Sequence, residues 1–388
     1  MAGIYVHIPF CSQFCVYCNF YSVKGKELRE KYVSALLNEI EYRKDFFRNI
    51  GVLPQTVYFG GGTPSLFPPD KLELILSTLR KEFNFTPIEA TVEVNPNDIT
   101  LEYAQALKKA GFNRVSMGVQ SFNDSHLAWM NRRHRGEEAV AAFWNLRRAG
   151  FSNISLDLIF GYSGLDMEQW RSNIEKMASL APEHISAYQM SIEEGSLLYR
   201  KLQAGEYDLV PDSTCMEQYT MLQRMLAQNG YTQYEISNFA SKDSNGNLLV
   251  SRHNSSYWTK EPYLGLGPAA HSYNGTHRFW NGGNLTAWCR HYSNDAAGEV
   301  AASSGRQGKI VGSEELSAAD MFNESIMLSL RRVDGVDIST LNPALLADVM
   351  GEIDRHVRLG NLVREGDKIR IPSEKLFVSD GIIMDLFI

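Results

Sequence analysis

The sequence predicts an α/β fold, a partial TIM-like barrel of six βα units, and three observations carry that expectation. Up to about residue 230, short β-rich runs alternate with stretches of helical period, the sequence form of parallel strands joined by crossover helices. Helical stretches stop at glycine in "KKAGF" and "RRAGF", where a residue that tolerates positive φ ends the helix. An apolar fraction of 44% in 388 residues supplies a sizeable core and material for two or three domains. An open doubly wound sheet is the alternative arrangement of the same strands, and in both folds ligands gather at the strands' C-terminal ends.

The strands are placed at residues 4–8, 56–60, 90–95, 114–120, 155–161 and 184–190, and the helices between them at 28–47, 69–83, 101–110, 137–149 and 167–180. The barrel domain therefore spans residues 1–235. Beyond it, "SNFASKDSNGNLLVSRHNSSYW" and "YLGLGPAAHSYNGTHRFWNGGN" are rich in Ser, Asn, Gly and aromatic residues without a clean period, so residues 236–312 read as a loop-rich α+β cap. Order returns over residues 313–388 with helices through "SAADMFNESIMLSLRR" and "PALLADVMGEIDRHVRLG". The hairpin "LVREGDKIRIP" then turns at Gly-Asp, which suggests a small winged-helix-like domain. Winged helices often bind DNA, but a net charge of −7 and no long Lys/Arg run argue against nucleic acid and anionic membrane, and a structural or protein-binding role is expected instead. No stretch reaches 18 consecutive apolar residues, and "MAGIYVHIPF" lacks the features of a secretion signal, so a cytoplasmic setting without a transmembrane segment is expected.

Three of the five cysteines, Cys11, Cys15 and Cys18, fall within eight positions, whereas Cys215 and Cys289 stand alone. In a reducing compartment such a cluster is a metal or redox site rather than a disulfide framework. A closed structural zinc site uses four ligands. A cubane iron-sulfur cluster on three thiolates leaves one iron open to a non-protein ligand. The run "FGGGTPS" lacks the spacing and lysine of a P-loop; alone it is a turn, or a place where backbone approaches a bound small molecule. Glu93, Gln120, Asp157 and Arg132 are polar choices in or beside buried strands, costly unless satisfied by neighbouring backbone or by a ligand.

The CxxxCxxC loop, with Tyr17 before its last cysteine, resembles the cluster motif of the radical SAM superfamily. The resemblance implies a [4Fe-4S] cluster whose open iron chelates the amino and carboxylate groups of S-adenosylmethionine, and whose one-electron reduction cleaves the sulfonium to a 5'-deoxyadenosyl radical. It implies that Gly61, Gly62 and Thr63 contact the methionyl end. In the coproporphyrinogen dehydrogenase-like branch, positions matching Tyr5, Glu93, Gln120, Arg132 and Asp157 contact S-adenosylmethionine, with Arg133 the adjacent alternative to Arg132.

"YVHIPFC", "FGGGTPS", "EVNP", "MGVQSF" and "HISAYQMSIEEGSLLY" resemble that branch along most of residues 4–275, in which oxygen-independent coproporphyrinogen III oxidases stand beside heme chaperones. The oxidases carry a further cysteine two positions after the third, where Phe20 stands here, and a longer N-terminal segment, where ten residues precede Cys11. "HNSSYW", residues 253–258, matches the chaperones' HNxxYW motif, and imidazole is a normal axial ligand of heme iron. His253 is therefore the expected heme ligand; His7, His271 and His277 have no matching motif. The resemblance implies a protein that binds the cluster, S-adenosylmethionine and heme, takes electrons from a donor such as flavodoxin or ferredoxin, and delivers heme to a hemoprotein. Oxidative decarboxylation of coproporphyrinogen III and a non-catalytic adaptor acting through the winged helix are the alternatives, and homodimerisation is open.

Overall fold

In the computed structural model, which describes residues 1–293 and 311–388, six strands lie side by side in sequence order, each parallel to the next. They are β1 (Ala2–Ile8), β2 (Pro54–Gly61), β3 (Glu89–Val94), β4 (Arg114–Gln120), β5 (Ile154–Phe160) and β6 (His184–Gln189). The crossovers are α1 (Arg29–Arg43) with the short α2 (Phe46–Asn49), α3 (Pro69–Glu82), α4 (Leu101–Ala110), α5 (Asp124–Trp129) with α6 (Gly136–Arg148), and α7 (Met167–Leu180). The helix expected over 28–47 breaks at Lys44 and Asp45 into α1 and α2.

Strand side chains alternate between two environments, as a period of two requires. Val115, Met117 and Val119 of β4, and Leu156, Leu158 and Phe160 of β5, are buried in the apolar core, whereas Arg114, Ser116, Gly118, Ser155 and Asp157 line a cavity. Side chains from β2 to β6 meet around that one cavity, so the sheet curls into an incomplete barrel with a polar lumen. Helices seal the other side: Leu72, Ile75, Leu76 and Leu79 of α3 form one buried stripe, each worth about 1.5–3 kcal/mol of burial. Helix N-termini are capped locally, by Thr100 on Tyr103 N for α4 and by the reciprocal Asp166 and Gln169 pair for α7.

After β6, α8 (Leu197–Gln203) and α9 (Asp212–Gln228) lead to β7 (Thr232–Gln233) and β8 (Asn238–Ala240), the latter antiparallel to β6. The strands of the α+β segment expected over 236–312 as a cap extend the main sheet. After α10 (Arg252–Trp258), β9 (Tyr263–Leu266) joins the main sheet parallel to β1, followed by antiparallel β10 (His271–Tyr273) and β11 (His277–Asn281). Next come α11 (Leu285–His291) and β12 (Val311–Glu315), which pairs with β11; residues 294–310 of the expected cap lie outside the described residues. Among the described residues the sheet has twelve strands, with β12 at one edge and β7 at the other. Strands of three to five residues hold too few alternations to register as a period.

The C-terminal elements form a separate three-stranded sheet, β13 (Val336–Asp337) against β15 (Lys368–Arg370) against β14 (Val363–Glu365). With it pack α12 (Ala318–Leu330), α13 (Pro343–Arg358) and α14 (Ser379–Met384), in the chain order α12, β13, α13, β14, β15, α14. This unit is tied to the barrel by Ile236 N to Arg331 O, 2.9 Å, and by the Arg278 and Glu324 ion pair, 2.7 Å.

The β9 extension is pinned by the buried Glu39 of α1. Its carboxylate accepts from Gly267 N and Asn281 Nδ2, both at 2.7 Å, and lies 3.3 Å from Arg43 Nε. Burial pushes the Glu39 carboxyl up and the Arg43 charge pulls it back, so removing Glu39 takes the counter-charge from the part-buried Arg43 and the acceptor from Gly267 N. Glu39→Ala is expected to cost about 3–5 kcal/mol of unfolding free energy in urea melts. A loss within about 0.5 kcal/mol, as at an ordinary surface position, would show that the extension does not depend on it.

Candidate functional site

The three clustered thiols stand where β1 ends. Phe10 bridges Val23, Cys11 N donates to Val23 O (3.0 Å) and Val23 N to Pro9 O (2.6 Å), closing the neck of a loop that carries Cys11, Cys15 and Cys18. The far side of the loop is held by the turn after α5. Asn131, at φ 59°, donates through Nδ2 to Phe14 O (2.7 Å) and meets the Gln13 amide, while Val16 N bonds Met130 O (3.2 Å). All three cysteines are partly exposed, unpaired and line the cavity of about 720 Å³. Burial pushes the Cys11 thiol up, and that of Cys18 up to about 11. Such thiols become thiolates when a metal supplies compensating charge.

Beside the loop, β2 ends in the glycine run. A Cβ on Gly61, whose φ is 106°, would lie 2.5 Å from the His7 ring, and one on Gly62 would lie 2.7 Å from Phe10 O. Only glycine lets these two strand ends pack together and leaves bare main chain on the cavity wall. Thr63 Oγ1 stands 3.7 Å from Cys11 Sγ.

Glu93 of β3 accepts from the Tyr58 hydroxyl (2.7 Å) and from Gly61 N (3.2 Å). Burial raises its carboxyl to about 7 in spite of both bonds. Asp157 is likewise raised to about 6 by burial, against hydrogen bonds from Ser186 and Ser116. Gln120 reaches the cavity because β4 carries a register shift between Gly118 and Gln120, with Gln120 at φ 67°. Arg132 donates to Gly118 O (2.6 Å) and to Cys15 Sγ (3.4 Å), whereas Arg133 is tied to Asp98 at 3.0 and 3.1 Å. Tyr17 lines the same wall, and burial raises its phenol.

The structure thus brings Cys11, Cys15, Tyr17, Cys18, Gly61, Gly62, Thr63, Glu93, Gln120, Arg132 and Asp157 to one cavity. Tyr5 lies behind the wall, its ring stacked on Tyr58 at 6.2 Å and its hydroxyl 3.1 Å from His7 Nδ1. His253 does not line the cavity either. It sits on α10, fully buried, with Nδ1 2.8 Å from Thr56 Oγ1 and Nε2 2.9 Å from the Tyr257 hydroxyl; burial lowers it to about 3, a neutral ring with both nitrogens engaged. Its neighbour Asn254 does reach the cavity. His271 stacks on Trp280 and His277 lies 2.9 Å from Thr276 Oγ1, both on strands beyond β9.

Arg114 was not singled out from the sequence, yet it is 1% exposed, lines the cavity and has an unpartnered Nε. With Ser116, Ser155, Ser186 and Tyr188 it follows from the two-residue alternation of "RVSMG", "ISLDL" and "HISAY", a signal present in the sequence. The residues fit a [4Fe-4S] cluster with an adjacent small ligand. Three thiols share one wall, glycine main chain stands bare beside them, and buried guanidinium groups carry unpaired Nε atoms.

The raised carboxyl of Glu93 has a stability consequence. Between pH 4.5 and about 7 the folded chain keeps a proton that the unfolded chain has released, so folding weakens as pH rises through that window. Glu93→Gln removes the titration. The melting temperature of the variant relative to the parent protein is therefore expected to climb between about pH 5 and pH 8. A difference that is flat with pH would show that Glu93 ionises in the fold as it does in solution.

The comparisons with known proteins follow the same outline. Residues 5–201 match the family model described as the Radical SAM superfamily. The heme chaperone HemW of Bacillus subtilis is 33% identical over 87% of this chain and 85% of its own length. That of Mycobacterium tuberculosis is 30% identical over 99% and 94%. The solved coproporphyrinogen III oxidase HemN of Escherichia coli, a radical SAM enzyme, shares the fold at a TM-score of 0.80, with 22% identity over 100% of this chain and 90% of that one. The chain belongs to the radical SAM superfamily, in the branch of the heme chaperone HemW proteins.

Proposed function

We propose that the protein is a heme chaperone: it holds one [4Fe-4S] cluster on Cys11, Cys15 and Cys18, binds S-adenosylmethionine in the barrel lumen, and binds heme for transfer to a recipient hemoprotein. The observation that carries the chaperone reading over the oxidase reading is Phe20. It stands where the oxidases carry a further cysteine, and it is 71% exposed at the cavity mouth. A phenyl ring offers a flat apolar face of the kind a porphyrin packs against, and no thiol.

When bound, the cluster and S-adenosylmethionine supply one-electron chemistry at a sulfonium centre. The chain's own residues bind and orient. Main chain at Gly61 and Gly62, with Thr63, would hold the methionyl end, and Glu93, Gln120 and Asp157 would offer polar atoms to the rest of the ligand. Arg132 sets a positive charge beside Cys15. His253 would hold heme iron only with one ring nitrogen freed from Thr56 or Tyr257, since ligation takes a nitrogen lone pair. The reading includes a cytoplasmic setting and a one-electron donor of the flavodoxin or ferredoxin type; among the described residues no helix is long and apolar enough to cross a membrane.

Anaerobically reconstituted protein is expected to bind heme, seen as a Soret band that titrates to a fixed stoichiometry, and to leave coproporphyrinogen III unchanged with reductant and S-adenosylmethionine present. Formation of protoporphyrinogen IX over multiple turnovers would replace the chaperone reading with the oxidase.

A further inference from the structure

His253 is buried beneath the lumen in a position that has a use besides ligation. α10 enters the barrel at the N-terminal ends of the strands. The backbone N–H groups of Arg252 and His253 are taken by the two carboxylate oxygens of Glu89, the first residue of β3, at 3.0 and 2.9 Å. The ring is bonded to Thr56 near the start of β2, and a Cβ on Gly3 of β1 would lie 2.9 Å from it. Three strands thus fix one imidazole. Its face lies on the Tyr58 ring, with centroids 5.2 Å apart and planes 27° apart, and Tyr257 closes its edge at 5.2 Å and 89°.

Tyr58 carries that placement upward. Its hydroxyl is 2.7 Å from Glu93 Oε1, and Glu93 Oε2 is 3.2 Å from Gly61 N, in the glycine run beside Cys11. The Tyr58 ring is confined from above as well, since a Cβ on Gly60 would lie 2.9 Å from it and 3.0 Å from the Glu93 carboxylate. The His253 face supports it from below at the shorter distance, and the Tyr5 ring stacks on it at 6.2 Å. We propose that His253 is a positioning residue for Glu93: by seating the Tyr58 ring it aims the Tyr58 hydroxyl at the carboxylate, so that Glu93 is held in the geometry that receives S-adenosylmethionine. The inference rests on the proposal that Glu93 meets that ligand. It gives the two leading residues of "HNSSYW" different duties, His253 as a support and Asn254 on the cavity wall.

The test measures the dissociation constant of S-adenosylmethionine by calorimetry on holoprotein with its cluster content verified. Glu93→Ala, Tyr58→Phe, His253→Ala, the double variant and His253→Phe are compared. Tyr58→Phe and His253→Ala are each expected to weaken binding about tenfold, as loss of one hydrogen bond to a charged group does. The double variant should be no weaker than Tyr58→Phe, because the two act in series. His253→Phe keeps a ring under Tyr58 without a ligating nitrogen and should restore affinity to within about twofold of the parent protein. If His253→Ala does not fold, Tyr58→Phe and His253→Phe carry the test. Unchanged affinity in Glu93→Ala would remove the reading of Glu93 itself and the inference with it. Weakening by Glu93→Ala with no effect of Tyr58→Phe, additive effects in the double variant, or His253→Phe as weak as Glu93→Ala would each overturn the inference alone.

Discussion

Two carboxylates and two guanidinium groups sit inside one open barrel, and their mutual compensation is the condition on which the cavity exists. Glu93, Asp157, Arg114 and Arg132 all line it, on a scaffold whose other face is apolar. Each charge would be costly alone in such a place. Together they are offset in part by one another, by the hydroxyls of Tyr58, Ser116 and Ser186, and by the main chain at Gly61 and Gly118. The offset is incomplete: both carboxyls are pushed up towards neutrality, and both guanidinium groups keep an unpaired Nε. A lumen poised in that way gains by admitting a polar, zwitterionic ligand.

The same groups tie the lumen to the thiol loop. Arg132 bonds Cys15 on one side and Gly118 of β4 on the other, Thr63 stands beside Cys11, and Glu93 holds the glycine run that faces both. The loop is thereby registered against three strands rather than hung from one. Cluster placement and ligand placement are then one structural problem, and a displaced Glu93 is felt at Gly61 beside the cysteines.

The six parallel strands, their crossover helices and the three clustered thiols were legible in the sequence because each rests on a local signal: a period of two, a period near 3.6, a fixed spacing. Arg114 was legible in principle, two residues before Ser116 and four before Gly118 in a strand whose intervening residues are Val115 and Met117. Three things were not. The β9 extension depends on pairing residues 3–6 with 263–266, and strands that short carry no period. Gln120 was named as a candidate, but the register shift and the positive φ at a non-glycine residue that turn it into the cavity are announced by no propensity. For His253, the motif suggested a ring open to a ligand, whereas the fold places α10 beneath the barrel and spends both nitrogens on Thr56 and Tyr257.

The central claim is that three thiolates leave one iron for S-adenosylmethionine. Electron paramagnetic resonance of the anaerobically reconstituted, reduced protein, with and without S-adenosylmethionine labelled in its amino and carboxylate groups, tests it most directly. The account predicts a [4Fe-4S] signal that changes on addition and couples to the labelled atoms. A cluster signal indifferent to S-adenosylmethionine, or stoichiometric zinc in place of iron, would contradict it.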